Sequence, residues 1–281
     1  MKVVVTGAAG QLGQDVLLEL ERNNHQAIGA DRQTLDISDE AAVQAFIQAV
    51  NPDVILHCAA YTNVDAAEED EDTAYKVNGL GAKYLAQAAK QAGAKMMYIS
   101  TDYVFDGTAS EPYEVYHPTK PLGTYGRTKL AGEVFVQEIL KEFFIVRTAW
   151  VFGIHGNNFV KTMIRLGKER DEVGVVHDQV GSPTYTVDLA KFMVELMETE
   201  KYGIYHATNN GVCSWYEFAV EIFKQAEMVV SVHPLTTEQF PRPAARPKYS
   251  VLSKKKIEEQ GLTPLPNWQN ALSAYLKEFR G

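Results

Sequence analysis

The chain has 281 residues, of which 46% are hydrophobic and 22% charged, and carries a net charge of −9 at pH 7. That apolar content is enough for a packed core and excludes a disordered or fibrous chain, while the acidic balance excludes a general nucleic-acid binder, which needs clustered Lys and Arg. No apolar run approaches the ~20 residues that cross a bilayer, and the opening MKVVVTGAAGQLG runs directly into a structural motif instead of a signal peptide. A cytoplasmic protein with no membrane or nucleic-acid partner is expected.

In chain order, a β-rich run over Lys2 to Thr6 leads into Gly7-Ala8-Ala9-Gly10-Gln11-Leu12-Gly13 and a helix over Leu12 to Arg22. In a strand-turn-helix unit this glycine spacing predicts a nucleotide site. Gly7 permits the tight turn, Gly10 lets backbone approach a pyrophosphate, and Gly13 lets the helix pack closely on the sheet. A second strand, Ala27 to Ala30, ends at Asp31, which can accept from a ribose 2′-OH, and at Arg32, which can instead pair with a 2′-phosphate, so NAD and NADP are both open on these two residues. A helix over Glu40 to Val50 and a strand over Val54 to Ala59 follow, and the small residues of His57-Cys58-Ala59-Ala60-Tyr61-Thr62 then fall at the carboxyl edge, where such sheets bind ligands.

Helical spacing predicts one helix over Thr73 to Ala92, then a strand over Lys95 to Ser100 that delivers the Thr101 hydroxyl to the same edge, where it can bond a carbonyl oxygen gaining charge. The next helix, Tyr125 to Lys141, sets Tyr125 and Lys129 one turn apart. An ammonium beside a phenol favours phenolate, so the pair is expected to lower the tyrosine pKa towards the working range. A fifth strand spans Phe143 to Thr148. The alternation predicts a parallel sheet with helices on both faces.

After about Ala149 the pattern loosens, with helices near Phe159 to Lys168 and Val187 to Met197, a strand near Ile204 to Ala207, and helices from Trp215 and Trp268. The PRPAARP stretch within Phe240 to Lys248 forms neither a helix nor a central strand, so a surface or ligand-facing loop is expected. Cys58 and Cys213 show no metal or redox spacing and are read as reduced thiols.

The stretches TGAAGQLG, LDISD, HCAAYTNVDAAE, VNGLGAKYLA, ISTDYVFDG, YGRTKLAGE, VRTAWVFG and RPKYSVLS cover nearly the whole chain. On them the sequence resembles the extended short-chain dehydrogenases/reductases, and within these the dTDP-4-dehydrorhamnose reductases. The resemblance implies an α/β fold, a Rossmann-type doubly wound parallel sheet with a smaller C-terminal substrate-binding domain. Residues 1–154 and about 174–212 would form the NAD(P)-binding domain, and about 155–173 and 213–281 the substrate domain. It implies a catalytic set of Thr101, Tyr125 and Lys129, with Asp102, Trp150 and Arg246 beside the substrate and Arg242 as a second candidate for its diphosphate. Cofactor contacts would come from Gly7, Gly10, Gln11, Leu12, Gly13, Asp31, Arg32, Asp36, Ile37, Ala59, Ala60, Tyr61, Thr62 and Asn78, together with Tyr125 and Lys129.

The implied activity is NADPH-dependent reduction, with NADH as a second cofactor, of the 4-keto group of dTDP-4-dehydro-L-rhamnose to dTDP-L-rhamnose, for cell-surface polysaccharide. Relatives that dimerise through magnesium use glutamates. Asp15 stands at the matching place here without identifiable companions, so no metal ligand is assigned and magnesium and a homodimer both stay open. The competing readings are another sugar-nucleotide 4-ketoreductase or epimerase, a dehydratase, and a non-catalytic NADP-binding regulator like the β subunit of methionine adenosyltransferase. No glutamate follows Asp102, which weighs against a dehydratase, and the intact Thr101, Tyr125 and Lys129 weigh against the regulator.

Overall fold

A computed structural model describes residues 1–280. Its first half alternates β1 (Lys2–Thr6), α1 (Gln11–Arg22), β2 (Gln26–Ala30), α2 (Glu40–Val50), β3 (Val54–His57), α3 (Ala66–Glu69), α4 (Glu71–Tyr75), α5 (Gly81–Ala92), β4 (Lys95–Thr101), α6 (Thr124–Ile139) and β5 (Phe143–Thr148). The central strands read as continuous apolar runs, KVVVT, VILH and KMMYIST, because helices cover both of their faces. Six strands pair in the order β10-β5-β4-β3-β1-β2, where β10 is Gly203–His206, and every ladder is parallel.

Chain order reverses at β1, which has β2 on one side and β3 on the other. The carboxyl edge there is the crevice in which open α/β sheets bind ligands. One face is packed by α1 and α8 (Thr186–Met197), with Val16, Leu20, Leu189 and Met193 fully buried against Val3, Val5 and Val146. The other face carries α2, α5 and α6 through Val43, Ile47, Leu85, Ala89 and Val136.

Beyond β5 the chain forms β6 (Val151–Phe152), α7 (Phe159–Glu169), β7 (Glu172–Val176), β8 (Val180–Gly181) and β9 (Thr184–Tyr185) before α8. After β10 come β11 (Cys213–Ser214), α9 (Trp215–Gln225), β12 (Ser231–Leu235), α10 (Lys255–Glu259) and α11 (Trp268–Arg280). A separate cluster of Phe152, Val160, Phe218, Ile222, Trp268 and Tyr275 packs α7, α9 and α11 together, and β7 pairs with β12 instead of joining the large sheet. Among the described residues no helix is long and apolar enough to cross a membrane.

Two expectations need correction. The run expected as one helix over Thr73 to Ala92 is interrupted by a π-helical turn at Lys76–Leu80. The cause is Asn78, fully buried, whose side chain is spent on other elements: its Oδ1 accepts the Tyr61 N–H at 2.8 Å and its Nδ2 donates to Tyr61 O at 3.2 Å and Thr128 Oγ1 at 3.1 Å. The Tyr98 hydroxyl donates to the carbonyl of Asn78 at 3.1 Å. The other correction concerns the strand expected over Val54 to Ala59, which stops at His57, freeing Cys58 and Ala59 to cross above the glycine turn.

Candidate active site

The glycine turn is built for close approach. Gly7 has φ +68°, and a side chain there would put its Cβ 2.7 Å from the Ala59 nitrogen; a Cβ on Gly13 would lie 2.2 Å from the Gly7 carbonyl oxygen. Gly10 caps α1 without a side chain, its own N–H donating to Gly7 O at 2.8 Å, and the first turn holds no acidic residue. The N–H groups of Gln11, Leu12 and Gly13 precede the first helical bond, from Gln14 to Gly10 O, so they stand free for phosphate oxygens. This cradle fits a dinucleotide pyrophosphate.

At the carboxyl edge a cavity of about 550 Å³ is lined by Gln11, Leu12, Ala60 and Thr62 from the first loops and by Thr101, Asp102, Tyr125, Lys129 and Trp150. The strand β4 ends at Thr101 and α6 begins at Thr124, which brings residues 101 and 125 together across the edge. The start of α6 is anchored from another element: Glu68 accepts the Thr124 N–H at 2.7 Å and its hydroxyl at 3.0 Å, capping a helix that Gly123 cannot cap. Beneath the site Glu133 and Arg147, exposed by 0% and 3%, form a bidentate pair at 2.7 and 2.8 Å, and Glu133 also accepts the Ser100 hydroxyl at 2.5 Å. Removing one partner of such a buried pair costs about 3–5 kcal/mol, so β4, β5 and α6 are held in register under Thr101, Tyr125 and Lys129.

The Lys129 ammonium is buried, donates to Ile99 O at 2.6 Å and lies 4.0 Å from the centre of the Tyr98 ring. Burial pushes its pKa down to about 7, with Glu133 opposing. The expected depression of the Tyr125 phenol is not what the geometry gives. Burial, reinforced by the negative charge of Asp102, pushes it up to about 12, and the bond with Thr101 offsets this only in part. Lys129 is turned to the strand carbonyl and the Tyr98 ring, so its charge is spent there, and the phenol stays protonated at neutral pH.

Asp102 is 2% exposed and lines the cavity. Its Oδ1 accepts from the Thr101 hydroxyl at 3.0 Å, whereas its Oδ2 is buried without a protein partner. Burial raises its pKa to about 6, while Ser250 and Thr101 pull it down. A buried acceptor on a residue that lines the cavity is a place for a ligand hydroxyl.

The remaining candidates are divided. Ala59 lies over Gly7, and Tyr61 is bonded to Asn78 through its main chain, so Asn78 holds the loop above the cofactor turn without opening on the cavity. Asp31 and Arg32 sit at the end of β2; the Asp31 carboxylate accepts from Gln33 N, Thr34 N and the Thr34 hydroxyl, which organises the turn that presents the exposed Arg32. Asp36 accepts from Ser38, while Ile37 is 7% exposed and packed in the core, which leaves it only main chain to offer a ligand. Arg246 and Arg242 both reach Asp65, each at 2.8 Å, pinning the Pro-rich loop beside Val64 at the rim. Asp15 is buried with His155 at 3.8 Å, and among the described residues no group of three or more His, Cys, Asp and Glu gathers as a metal site.

Sequence reading missed Trp215, which stacks on Trp150 with ring centroids 3.6 Å apart and forms the far wall, and Tyr103, which meets Tyr125 edge-on at 5.6 Å. Trp150 itself holds φ +50°, and a side chain on Gly181 would fall 2.7 Å from its ring. Glu68, Glu133 and Tyr98 were also missed. Glu68 and Glu133 close the stretches HCAAYTNVDAAE and YGRTKLAGE, but their partners, Thr124 for Glu68 and Ser100 and Arg147 for Glu133, are brought beside them only by folding, as are those of Tyr98.

The family model of the RmlD substrate binding domain matches residues 1–280. A spore coat polysaccharide biosynthesis protein of Bacillus subtilis is 42% identical over 99% of this chain and 97% of its own length. The structure is similar to that of a dTDP-4-dehydrorhamnose reductase from Clostridium acetobutylicum, with a TM-score of 0.98 and 49% identity over 100% of both chains. It is similar also to that of a dTDP-4-dehydrorhamnose reductase from Bacillus anthracis in complex with NADP, with a TM-score of 0.97 and 48% identity over 99% of this chain and 100% of that one.

Proposed function

This chain belongs to the family of the RmlD substrate binding domain, and from that premise we infer that it is a dTDP-4-dehydrorhamnose reductase, converting dTDP-4-dehydro-L-rhamnose to dTDP-L-rhamnose with NADPH. The observation that carries the reading is the convergence of Thr101, Asp102, Tyr125 and Lys129 on one cavity that opens from an uncapped glycine turn. A bound nicotinamide supplies the hydride. Tyr125, protonated at neutral pH, gives its proton to the sugar O4 as that oxygen becomes an alkoxide, and the Thr101 hydroxyl turns from Asp102 to share the developing charge. Lys129 would hold the nicotinamide ribose, Trp150 would pack on the sugar, and Arg246 or Arg242 would meet the diphosphate. The division into a cofactor domain of residues 1–154 and about 174–212 and a substrate domain of about 155–173 and 213–281 belongs to the same proposal. A cytoplasmic location is proposed with it.

The decisive experiment follows NADPH absorbance with dTDP-4-dehydro-L-rhamnose and with its UDP counterpart. Rapid oxidation with the dTDP sugar is expected; cofactor binding without any oxidation would overturn the reading in favour of a regulatory protein.

Asp102 gives this reading a pH dependence. As a carboxylate it accepts a substrate hydroxyl on the orphaned Oδ2, and below about pH 6 it protonates and that charge-assisted acceptor is lost. The expected result is a kcat/KM that falls on the acid side of pH 6. Asp102→Asn should remove this acid limb and lower kcat/KM at pH 7 by about 10-fold or more, the worth of a hydrogen bond to a charged group. An unchanged limb in the variant would assign it to another group.

Cofactor choice rests on Arg32. With Asp31 occupied by its own turn, the exposed guanidinium is the group available to a 2′-phosphate. Arg32→Gln is expected to raise KM for NADPH by about 10-fold and leave KM for NADH almost unchanged, since only NADPH carries the phosphate. Equal rises for the two cofactors would refute that role.

A further inference from the structure

The phosphate cradle uses only the main chain of Gln11, yet its side chain is fully engaged elsewhere. Its Nε2 donates to Val151 O at 3.3 Å, 140 residues away, and its Oε1 accepts from Asn158 Nδ2 at 2.8 Å, 147 residues away. Asn158 passes the connection on: the same amide donates to Gly153 O at 2.7 Å, and its Oδ1 caps α7 by accepting the Lys161 N–H at 3.1 Å. Lys161 in turn donates to the carbonyls of Ile154 and Gly156.

The run 150–158 is therefore tied to the first residue of α1 near both ends. It is also the run that builds the substrate wall. Trp150, Val151 and Asn157 line the cavity, and Trp150, held at φ +50°, is stacked on Trp215. Gly156, at φ +69°, lies beside Gln11: a Cβ there would be in ordinary van der Waals contact with the Gln11 Cβ, at 3.6 Å. The Gln11 amide supplies both the donor that Val151 needs and the acceptor that Asn158 needs, so its side chain serves this link and not the phosphates.

We propose that Gln11 is a positioning residue that couples occupation of the cofactor turn to the shape of the sugar pocket. Phosphates on the amides of residues 11–13 fix the first turn of α1, which fixes the Gln11 amide, which holds Trp150 to Asn158 in the geometry that receives the dTDP sugar. By linkage the effect is reciprocal: NADP tightens the dTDP sugar by the same factor by which the sugar tightens NADP. The inference rests on the reductase reading for the identity of the sugar ligand, though not for the link from Gln11 to the wall.

Two variants test it. Gln11→Ala removes the bridge, and Asn158→Asp keeps the acceptor that caps α7 while removing the amide that reaches Gln11. Titration calorimetry with dTDP-L-rhamnose, with and without saturating NADP, is expected to show at least about 5-fold tightening in the parent, as for a typical coupling between sites. Both variants should show less than about 2-fold tightening. The second readout uses NADP alone: the exciton band of the stacked Trp150 and Trp215 pair in circular dichroism should change on cofactor binding in the parent and stay fixed in both variants. Parent-like coupling and a parent-like spectral change in the variants would overturn the proposal, as would a parent that shows neither. Failure of the parent to bind dTDP-L-rhamnose while the NADP spectral change persists and depends on Gln11 would instead overturn the reductase reading and leave the bridge standing.

Discussion

Replacing Tyr125 by phenylalanine is expected to lower kcat by about 10² or more while leaving NADPH affinity within about 2-fold of the parent, since a positioned general acid contributes 10² to 10⁴. The variant keeps the ring that packs edge-on against Tyr103, so the start of α6 and the cavity wall survive and only the proton is lost. Burial and Asp102 raise the phenol to about 12, far above neutral pH, so the acid is fully loaded in the resting enzyme. Because the proton moves only as the alkoxide forms, kcat and kcat/KM should fall together with little change in KM. Steady-state kinetics beside cofactor titration decides this. Turnover within a few-fold of the parent would take the phenol out of the proton transfer.

The other large effect separates two glycines of one turn. Gly10→Val is expected to fold and to weaken NADPH binding by about 10²-fold or more. Gly10 has extended backbone angles, and its added Cβ meets only the Gly7 carbonyl oxygen at 3.0 Å, but the branched side chain would stand in the space of the pyrophosphate. Gly13→Val is expected to fail earlier, at the level of the fold. Its Cβ would lie 2.2 Å from Gly7 O and 2.9 Å from the Ala8 Cα, backbone atoms that cannot yield without lifting α1 from the sheet, and overpacking of this kind costs about 1–3 kcal/mol or more. Thermal melting beside NADPH titration separates the two. Normal NADPH affinity in a folded Gly10→Val protein would move the phosphate site away from this turn.

The parallel sheet, the glycine turn and the delivery of Thr101, Tyr125 and Lys129 to the carboxyl edge were legible in the sequence because the elements that carry them rest on local periodicity or fixed spacing. Apolar runs of strand length alternate with helical runs through β5, and Tyr125 and Lys129 lie on one helix, where spacing alone fixes their relation. The later half was less legible. Its strands β6, β8, β9 and β11 are two residues long, too short to carry a period, and β7 finds its partner β12 about 59 positions onward.

What the sequence determined by itself is the order of the strands' chemistry: which turn can receive phosphates, which hydroxyl, phenol and ammonium reach the carboxyl edge, and which residues fill the two faces of the sheet. What only the tertiary structure decided is how those groups are tuned. The sequence predicted that Lys129 would draw the Tyr125 pKa down; the folded protein turns the ammonium onto Ile99 O and the Tyr98 ring and lets burial and Asp102 drive the phenol up. It likewise decided that Asn78 would clamp Tyr61 to Thr128, that Arg246 would pair with Asp65, and that Trp150 would stack on Trp215. The physical reason is common to all four. Desolvation and hydrogen bonding depend on which atoms lie within a few ångströms, and for these side chains those atoms come from segments far away in the chain.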